Sequence, residues 1–180
     1  MVYMLLGTGF EEVEAVAPLD LLRRAGIEVL TVGVDGKTVC GAHNIAIEAD
    51  ITIGEMDLTA LEMIILPGGL GGVAAARASK EALDALRFAW ENGKYVAAIC
   101  AGPTVLADLG ITDGKNATCY PTCAGGMGAA IVDNTVPCVT DGKLITGASA
   151  GCAVPFGLAL VAALKGQQIA DEVREKFVIR

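Results

Sequence analysis

Three short segments hold the residue types that could do chemistry, and Cys100 is foremost among them. It stands in Val96-Ala97-Ala98-Ile99-Cys100-Ala101-Gly102-Pro103-Thr104, where a buried apolar strand meets small residues and then a proline suited to the first turn of a helix. This is the pattern of a nucleophile elbow with cysteine in place of serine. Small neighbours permit the strained strand-to-helix turn that lifts the side chain out at the carboxyl edge of a sheet. A sulfur placed there faces free N–H groups and the positive end of a helix dipole, both of which favour the nucleophilic thiolate. A cysteine that merely ended a core strand would be buried and inert; the small residues after Cys100 distinguish the two cases.

Two further segments supply partners. Gly9-Phe10-Glu11-Glu12-Val13-Glu14 puts three acids at the start of a helix. Attraction to the helix dipole accounts for Glu11 and Glu12. Glu14 falls near the inward face, one position after Val13 and three before Ala17, where a carboxyl buried beside a thiolate keeps its proton and donates a hydrogen bond to sulfur. Leu66-Pro67-Gly68-Gly69 ends another apolar run with glycines that either bring backbone N–H groups close to a ligand or simply turn the chain.

Placing these residues together requires a parallel sheet. Val2 to Leu6 and Ile27 to Val34 are apolar runs ended by turn residues, and Glu11 to Ala25 between them has helical periodicity and stops at Gly26, so the three form a βαβ unit. Leu61 to Leu66 and Tyr95 to Ile99 are further buried strands, flanking a helix from the N-capping Ser79 to Asn92. Helices follow over Ala101 to Leu109, Ala153 to Leu164 and Ile169 to Lys176, and Val136 to Ile145 is an antiparallel edge hairpin around Asp141-Gly142. Cys40 to Ile53 alternates weakly and is a hairpin or an excursion. Ala124 to Ala130 is a small-residue loop, flexible or tightly packed. The expected architecture is a three-layer α/β/α sandwich.

With 180 residues, 53% of them apolar, the chain suits one ordinary domain and excludes intrinsic disorder. A net charge of −8 repels phosphate backbones and anionic lipid, which argues against nucleic-acid and membrane partners. The opening apolar run is too short for a signal peptide, and the stretch from Val154 to Leu164 is only about half of the ~20 residues that span a bilayer. The expected location is the cytoplasm, where the six cysteines (Cys40, Cys100, Cys119, Cys123, Cys138, Cys152) stay reduced. Cys119 and Cys123, with no histidine nearby, make a poor zinc site.

GFEEVEAVAPLDLLRRAGI, IILPGG and AAICAGPTVLA, in that order, resemble the ThiJ/PfpI family, in the subgroup that holds the Parkinson's disease protein deglycase and bacterial YajL; the likeness runs on to the ending LALVAALKGQQIADEV. The resemblance implies a flavodoxin-like sandwich of the class I glutamine amidotransferase type across residues 1–180, and a homodimer with the first helix near its interface. It implies a reactive Cys100 hydrogen-bonded to a protonated Glu14, and an oxyanion pocket from the backbone N–H groups of Gly69 and Ala101. It also places Arg24 near the interface and an anion pocket. No cofactor or metal is implied.

One departure bears on mechanism. Many members place a histidine close to the cysteine from the loop after the elbow helix, whereas this chain has only His43, far upstream; the loop offers Tyr120 and Cys123 instead. A Cys-His-acid mechanism therefore lacks its base unless His43 folds over. Two classes of function follow from the resemblance. In one, a Cys100 thiolate attacks small aldehydes such as methylglyoxal, or glycated proteins, with Glu14 as acid and base and no cofactor. In the other, Cys100 is oxidised to sulfinate as the sensor of a stress response or redox-regulated chaperone, with no turnover.

Overall fold

Apolar runs too continuous for a one-faced sheet become strands covered on both sides. In the computed structural model, which describes residues 1–178, the chain runs β1 (Val2–Leu6), α1 (Glu12–Arg24), β2 (Val29–Gly33), β3 (Thr38–Cys40), β4 (Ala46–Glu48), β5 (Ile51–Thr52), β6 (Met63–Leu66), α2 (Leu70–Ala78), α3 (Lys80–Glu91) and β7 (Tyr95–Ile99). It continues through α4 (Pro103–Asp108), β8 (Asn116–Ala117), β9 (Ile131–Val132), β10 (Cys138–Asp141), β11 (Leu144–Gly147), α5 (Ala153–Lys165) and α6 (Gln167–Lys176). The main sheet has the order β10-β11-β7-β6-β1-β2-β5. Its pairings are parallel except that of the edge strand β10 with β11. This is the expected flavodoxin-like α/β sandwich.

Side chains alternate across the sheet as the pleat demands. Val2, Met4 and Leu6 of β1 pack with Leu22 of α1 and with Phe156 and Leu160 of α5. Tyr3 and Leu5 pack on the other face with Val73 of α2 and Leu86 of α3. Strand order reverses at β1: the chain moves outward to β2 and then returns to β6 on the opposite side. A crevice opens at such a switch point, beyond the carboxyl ends of the strands, and ligands bind there.

The observed elements follow the expected ones closely where the signal is local. The segment after Val34 forms a separate antiparallel hairpin, β3 with β4, and a short edge strand β5. The small-residue loop is anchored at one point: Pro121–Gly126 makes a 3-10 turn, and Met127, only 1% exposed, packs against Ala117 and Cys119, while Gly125, Gly126, Gly128 and Ala129 stay exposed. Three elements lie outside the sequence expectation: the short parallel pair of β8 with β9, and α2. α2 begins Leu70-Gly71-Gly72, and glycine lowers helix propensity by about 1 kcal/mol each. Its presence has a tertiary cause, since a Cβ on Gly72 would stand 2.8 Å from the Cα of Phe10. α2 can approach the loop between β1 and α1 only without that carbon. No helix among the described residues is long and apolar enough to cross a membrane.

On the opposite side of the sheet, α1 and α5 are in similarly close contact. A Cβ on Gly157 would lie 2.9 Å from the Cα of Pro18 and 2.7 Å from Leu21 Cδ1. Gly157→Val must therefore push the two helices apart, and a loss of about 1–3 kcal/mol is expected, read as a fall of several degrees in thermal midpoint by circular dichroism. An unchanged midpoint would show that the contact tolerates a gap.

Candidate active site

The carboxyl ends of three neighbouring strands, β1, β6 and β7, converge at one edge. Ile64 and Leu66 of β6 are in register with Val96 and Ala98 of β7, while Met4 of β1 pairs with Ile65. The segments that leave these ends carry Glu14, in the first turn of α1, the Gly68-Gly69 pair and Cys100. These are the residues that the sequence motifs single out, and they meet here.

Cys100 sits immediately after β7 with φ of 64°, a left-handed conformation that costs an L-residue about 1–2 kcal/mol. Its surroundings hold it there. The Cys100 N–H donates to the Gly147 carbonyl of β11 at 2.9 Å, its own carbonyl accepts from the Tyr120 N–H at 2.8 Å, and the Gly102 N–H closes the turn onto the Ile99 carbonyl at 2.9 Å. Pro103 opens α4, as its ring allows. Arg77 of α2 fixes the far side: it donates to Thr104 Oγ1 at 2.8 Å and pairs with Asp108 at 2.7 Å, while Thr104 Oγ1 donates to the Ala101 carbonyl at 2.7 Å. No local signal in the sequence marks Arg77, because its partners lie on another helix.

Glu14 is fully buried. Glu11, the N-cap of α1, accepts the Glu14 N–H at 2.8 Å, and the Gly68 N–H donates to Glu14 Oε2 at 2.9 Å. Oε1 is buried and has no hydrogen-bond partner among the described residues. A Cβ on residue 68 would lie 2.5 Å from Glu14 Oε2 and 2.7 Å from the Cβ of Cys100. Gly68 is thus the missing-carbon slot in which the acid and the thiol come together, a role sequence reading left open as an ordinary turn.

Burial pushes the Glu14 carboxyl up to about 7, with the charge of Glu11 adding to the rise while bonds from Cys100 and the Gly68 N–H oppose it. Burial also dominates at Cys100, pushing the thiol up to about 12, with the negative charge of Glu14 adding to the shift and the Ala101 N–H opposing it. The expected readily ionised thiol is therefore corrected. Its neighbour is an acid, its side chain is partly buried, and α4 has only six residues with which to build a dipole. Between these two values the pair carries one proton and one negative charge. With the proton on Glu14, the carboxyl can donate it to sulfur; with it on sulfur, the charge rests on a carboxylate held by the Gly68 N–H.

A pocket of about 180 Å³ opens over the sulfur. Gly69 and Ala101 line it with Cys100, and Glu11, Leu70, Tyr120, Thr122 and Cys123 form the remaining wall. Gly69 (φ 85°) is the N-cap of α2. Neither its N–H nor that of Ala101 donates to another backbone group among the described residues.

Two candidates lie elsewhere. Arg24 ends α1, ten residues beyond Glu14 and so about 15 Å along the helix; it pairs with Asp20 at 2.7 Å and stacks 5.2 Å from the Phe177 ring, away from the pocket. His43 does reach this end of the sheet, but its Nδ1 lies 2.8 Å from Glu12 Oε2 and it does not line the pocket. The bond to Glu12 and then the Glu12 charge raise its pKa. Glu11, Glu12 and His43 bring ligand-type atoms within 4.8 Å of one another, with the imidazole already occupied by that ion pair.

The folded protein keeps the Glu14 proton up to about 7, whereas an unfolded chain releases it at the ordinary 4.5. The wild type therefore gains its full share of stability from this proton below 4.5 and loses it as pH rises toward 7. Glu14→Gln has no such proton, so its thermal midpoint relative to wild type is expected to climb between those pH values and level off above them. A pH-independent difference would mean that Glu14 titrates normally.

Comparison with known proteins agrees with the motifs and the fold. A profile described as the DJ-1/PfpI family matches residues 1–163. The chain is 36% identical over 180 residues to Protein dj-1beta of Drosophila melanogaster, covering 98% of this chain and 95% of that one. The crystal structure of Drosophila melanogaster DJ-1beta superposes with a TM-score of 0.93 at 34% identity, covering 99% of this chain and 97% of that one. Deglycase PH1704 of Pyrococcus horikoshii is 30% identical over 148 residues, covering 81% and 87% of the two chains. A structure of Toxoplasma gondii DJ-1, oxidized, has a TM-score of 0.93 at 29% identity, covering 98% of this chain and 97% of that one. The chain belongs to the DJ-1/PfpI family, the same ThiJ/PfpI grouping that its three motifs resemble.

Proposed function

We propose that this protein is a reactive-cysteine catalyst of the deglycase and glyoxalase type, acting on small aldehydes or on glycated proteins through Cys100 and Glu14. The observation that carries the reading is the buried Glu14 set against a cysteine on a left-handed turn, at the floor of a small pocket. A carboxyl raised to about 7 is matched to proton transfer near neutral pH. In the first step Glu14 carboxylate takes the Cys100 proton as sulfur attacks the aldehyde carbon, and the oxygen that gains charge is met by the N–H groups of Gly69 and Ala101. Glu14 then carries a proton between the two adjacent carbons of methylglyoxal, and water releases lactate from the thioester. The apolar Leu70 and Tyr120 suit a small substrate without charge. Likeness to a protein named a deglycase supports this choice.

A second reading shares the same sulfur. Peroxide oxidises Cys100 to sulfenic and then sulfinic acid, and Glu14 stabilises the sulfinate. The absence of a histidine from the pocket lining favours it, as does the likeness to a DJ-1 described as oxidized. In either reading the 180 residues act as one domain in the cytoplasm. The chain pairs with a second copy through α1, whose Val13 and Val16 are half exposed. Arg24, at the end of the same helix, is placed by this proposal at the interface rather than in the pocket.

Purified protein is expected to convert methylglyoxal to lactate, and Cys100→Ser to lower the rate by at least about 10³-fold. Glu14→Gln should lose about 10²–10⁴-fold. Because Glu14 must be ionised to accept the thiol proton, kcat/KM should rise with pH through about 7 and flatten above it, a limb that Glu14→Gln lacks. No lactate from the wild type, together with peroxide-dependent gain of two oxygens on Cys100, would reject catalysis in favour of the second reading.

A further inference from the structure

The pocket presents a second thiol that neither proposed reading uses. Cys123 lines the same cavity as Cys100; both are partly exposed and neither is in a disulfide. The backbone brings them to one place. The Tyr120 N–H is bonded to the Cys100 carbonyl at 2.8 Å, and the Cys123 N–H to the Tyr120 carbonyl at 2.7 Å, so Cys123 lies one tight turn beyond a residue tied to the elbow itself. Its side chain packs against the core cluster that includes Ala101. The two sulfurs are close enough for charge on Cys123 to oppose ionisation of Cys100. The other thiols are placed differently: Cys119 is fully buried, and Cys40, Cys138 and Cys152 do not line this pocket.

We propose that Cys123 is the resolving cysteine of Cys100, closing a reversible Cys100–Cys123 disulfide across the pocket after a hydroperoxide has oxidised Cys100. The inference rests on the oxidation reading of the site and deepens it. In the first step an electron pair of the Cys100 sulfur attacks the distal peroxide oxygen. The O–O bond breaks, sulfur is oxidised by two electrons to sulfenic acid, and the other oxygen leaves as water or an alcohol after taking a proton. In the second step the Cys123 sulfur, giving up its proton, attacks the Cys100 sulfur. The S–S bond forms, the S–O bond breaks, and hydroxide leaves with that proton as water. Two thiols and one peroxide thus become one disulfide, one water from the second step, and one water or alcohol from the first, with no other reactant. The linkage occupies the pocket and forestalls sulfinate, which dithiols do not reverse.

The test adds two equivalents of hydrogen peroxide, enough for disulfide or sulfinate at one site, to fully reduced protein, blocks remaining thiols, and maps peptides by mass spectrometry without reductant. A linked pair of Cys100 and Cys123 peptides, two hydrogens lighter than the reduced pair and released by dithiothreitol, is the expected result. In Cys123→Ser, and equally in Cys123→Ala, Cys100 should instead accumulate two oxygens that dithiothreitol does not remove. Equal sulfinate in wild type and both variants with no linked pair would overturn the inference while leaving the oxidation reading standing. So would a disulfide from Cys100 to any other cysteine. A Cys100 untouched by peroxide would overturn both. The wild-type peptide map depends on no variant and decides the matter if a substitution perturbs folding.

Discussion

A single backbone N–H holds the site together. Gly68 donates it to Glu14 Oε2, and its missing side chain leaves room for the acid and the thiol to meet. A carboxyl with no solvent exposure is tolerable only when its polar atoms are met, because burying a charge without partners is far more costly than burying an acid that retains its proton. One oxygen is met by Gly68, and the other is buried with no partner among the described residues. The architecture around it follows from the need to bring that carboxyl to Cys100: α1 delivers the acid from β1, the turn after β6 delivers the N–H, and the elbow after β7 delivers the sulfur.

The electrostatics differ from those of cysteines activated by a nearby cation. The Ala101 N–H alone draws the thiol toward ionisation; burial and the neighbouring acid outweigh it. Reactivity must come from redistribution within the pair, with one proton passing between oxygen and sulfur while the net charge stays constant. Such a device favours chemistry in which the proton is needed back, because it is stored beside the reacting atom rather than lost to water.

The parts of this arrangement that were legible in the sequence are those governed by local rules. β7 spans Tyr95–Ile99 in the structure as the apolar run implies. α1 starts and stops within a residue of its expected bounds, and Ser79 accepts the Ala82 N–H as an N-cap should. Cys100 and Glu14 were legible because a strand end and a helix face are both sequence periodicities. α2 was hidden, since its glycines answer to Phe10 and not to their own helix. The direction of the Cys100 shift was hidden too: a motif shows that a helix follows, but not how much water the fold excludes. The distance of Arg24 from the pocket was not legible either, because a sequence segment carries no measure of distance, and α1, thirteen residues long, separates Arg24 from Glu14.

The left-handed turn at Cys100 bears on how this position can vary. Glycine or asparagine would sit there at ease, so selection for a sturdier fold alone would drift toward them and away from sulfur. A β-branched replacement would be worse than the cysteine. The residue therefore opposes the interests of the scaffold that carries it, and a mutational scan scored only by protein abundance would rank the loss of this thiol among the harmless or beneficial changes.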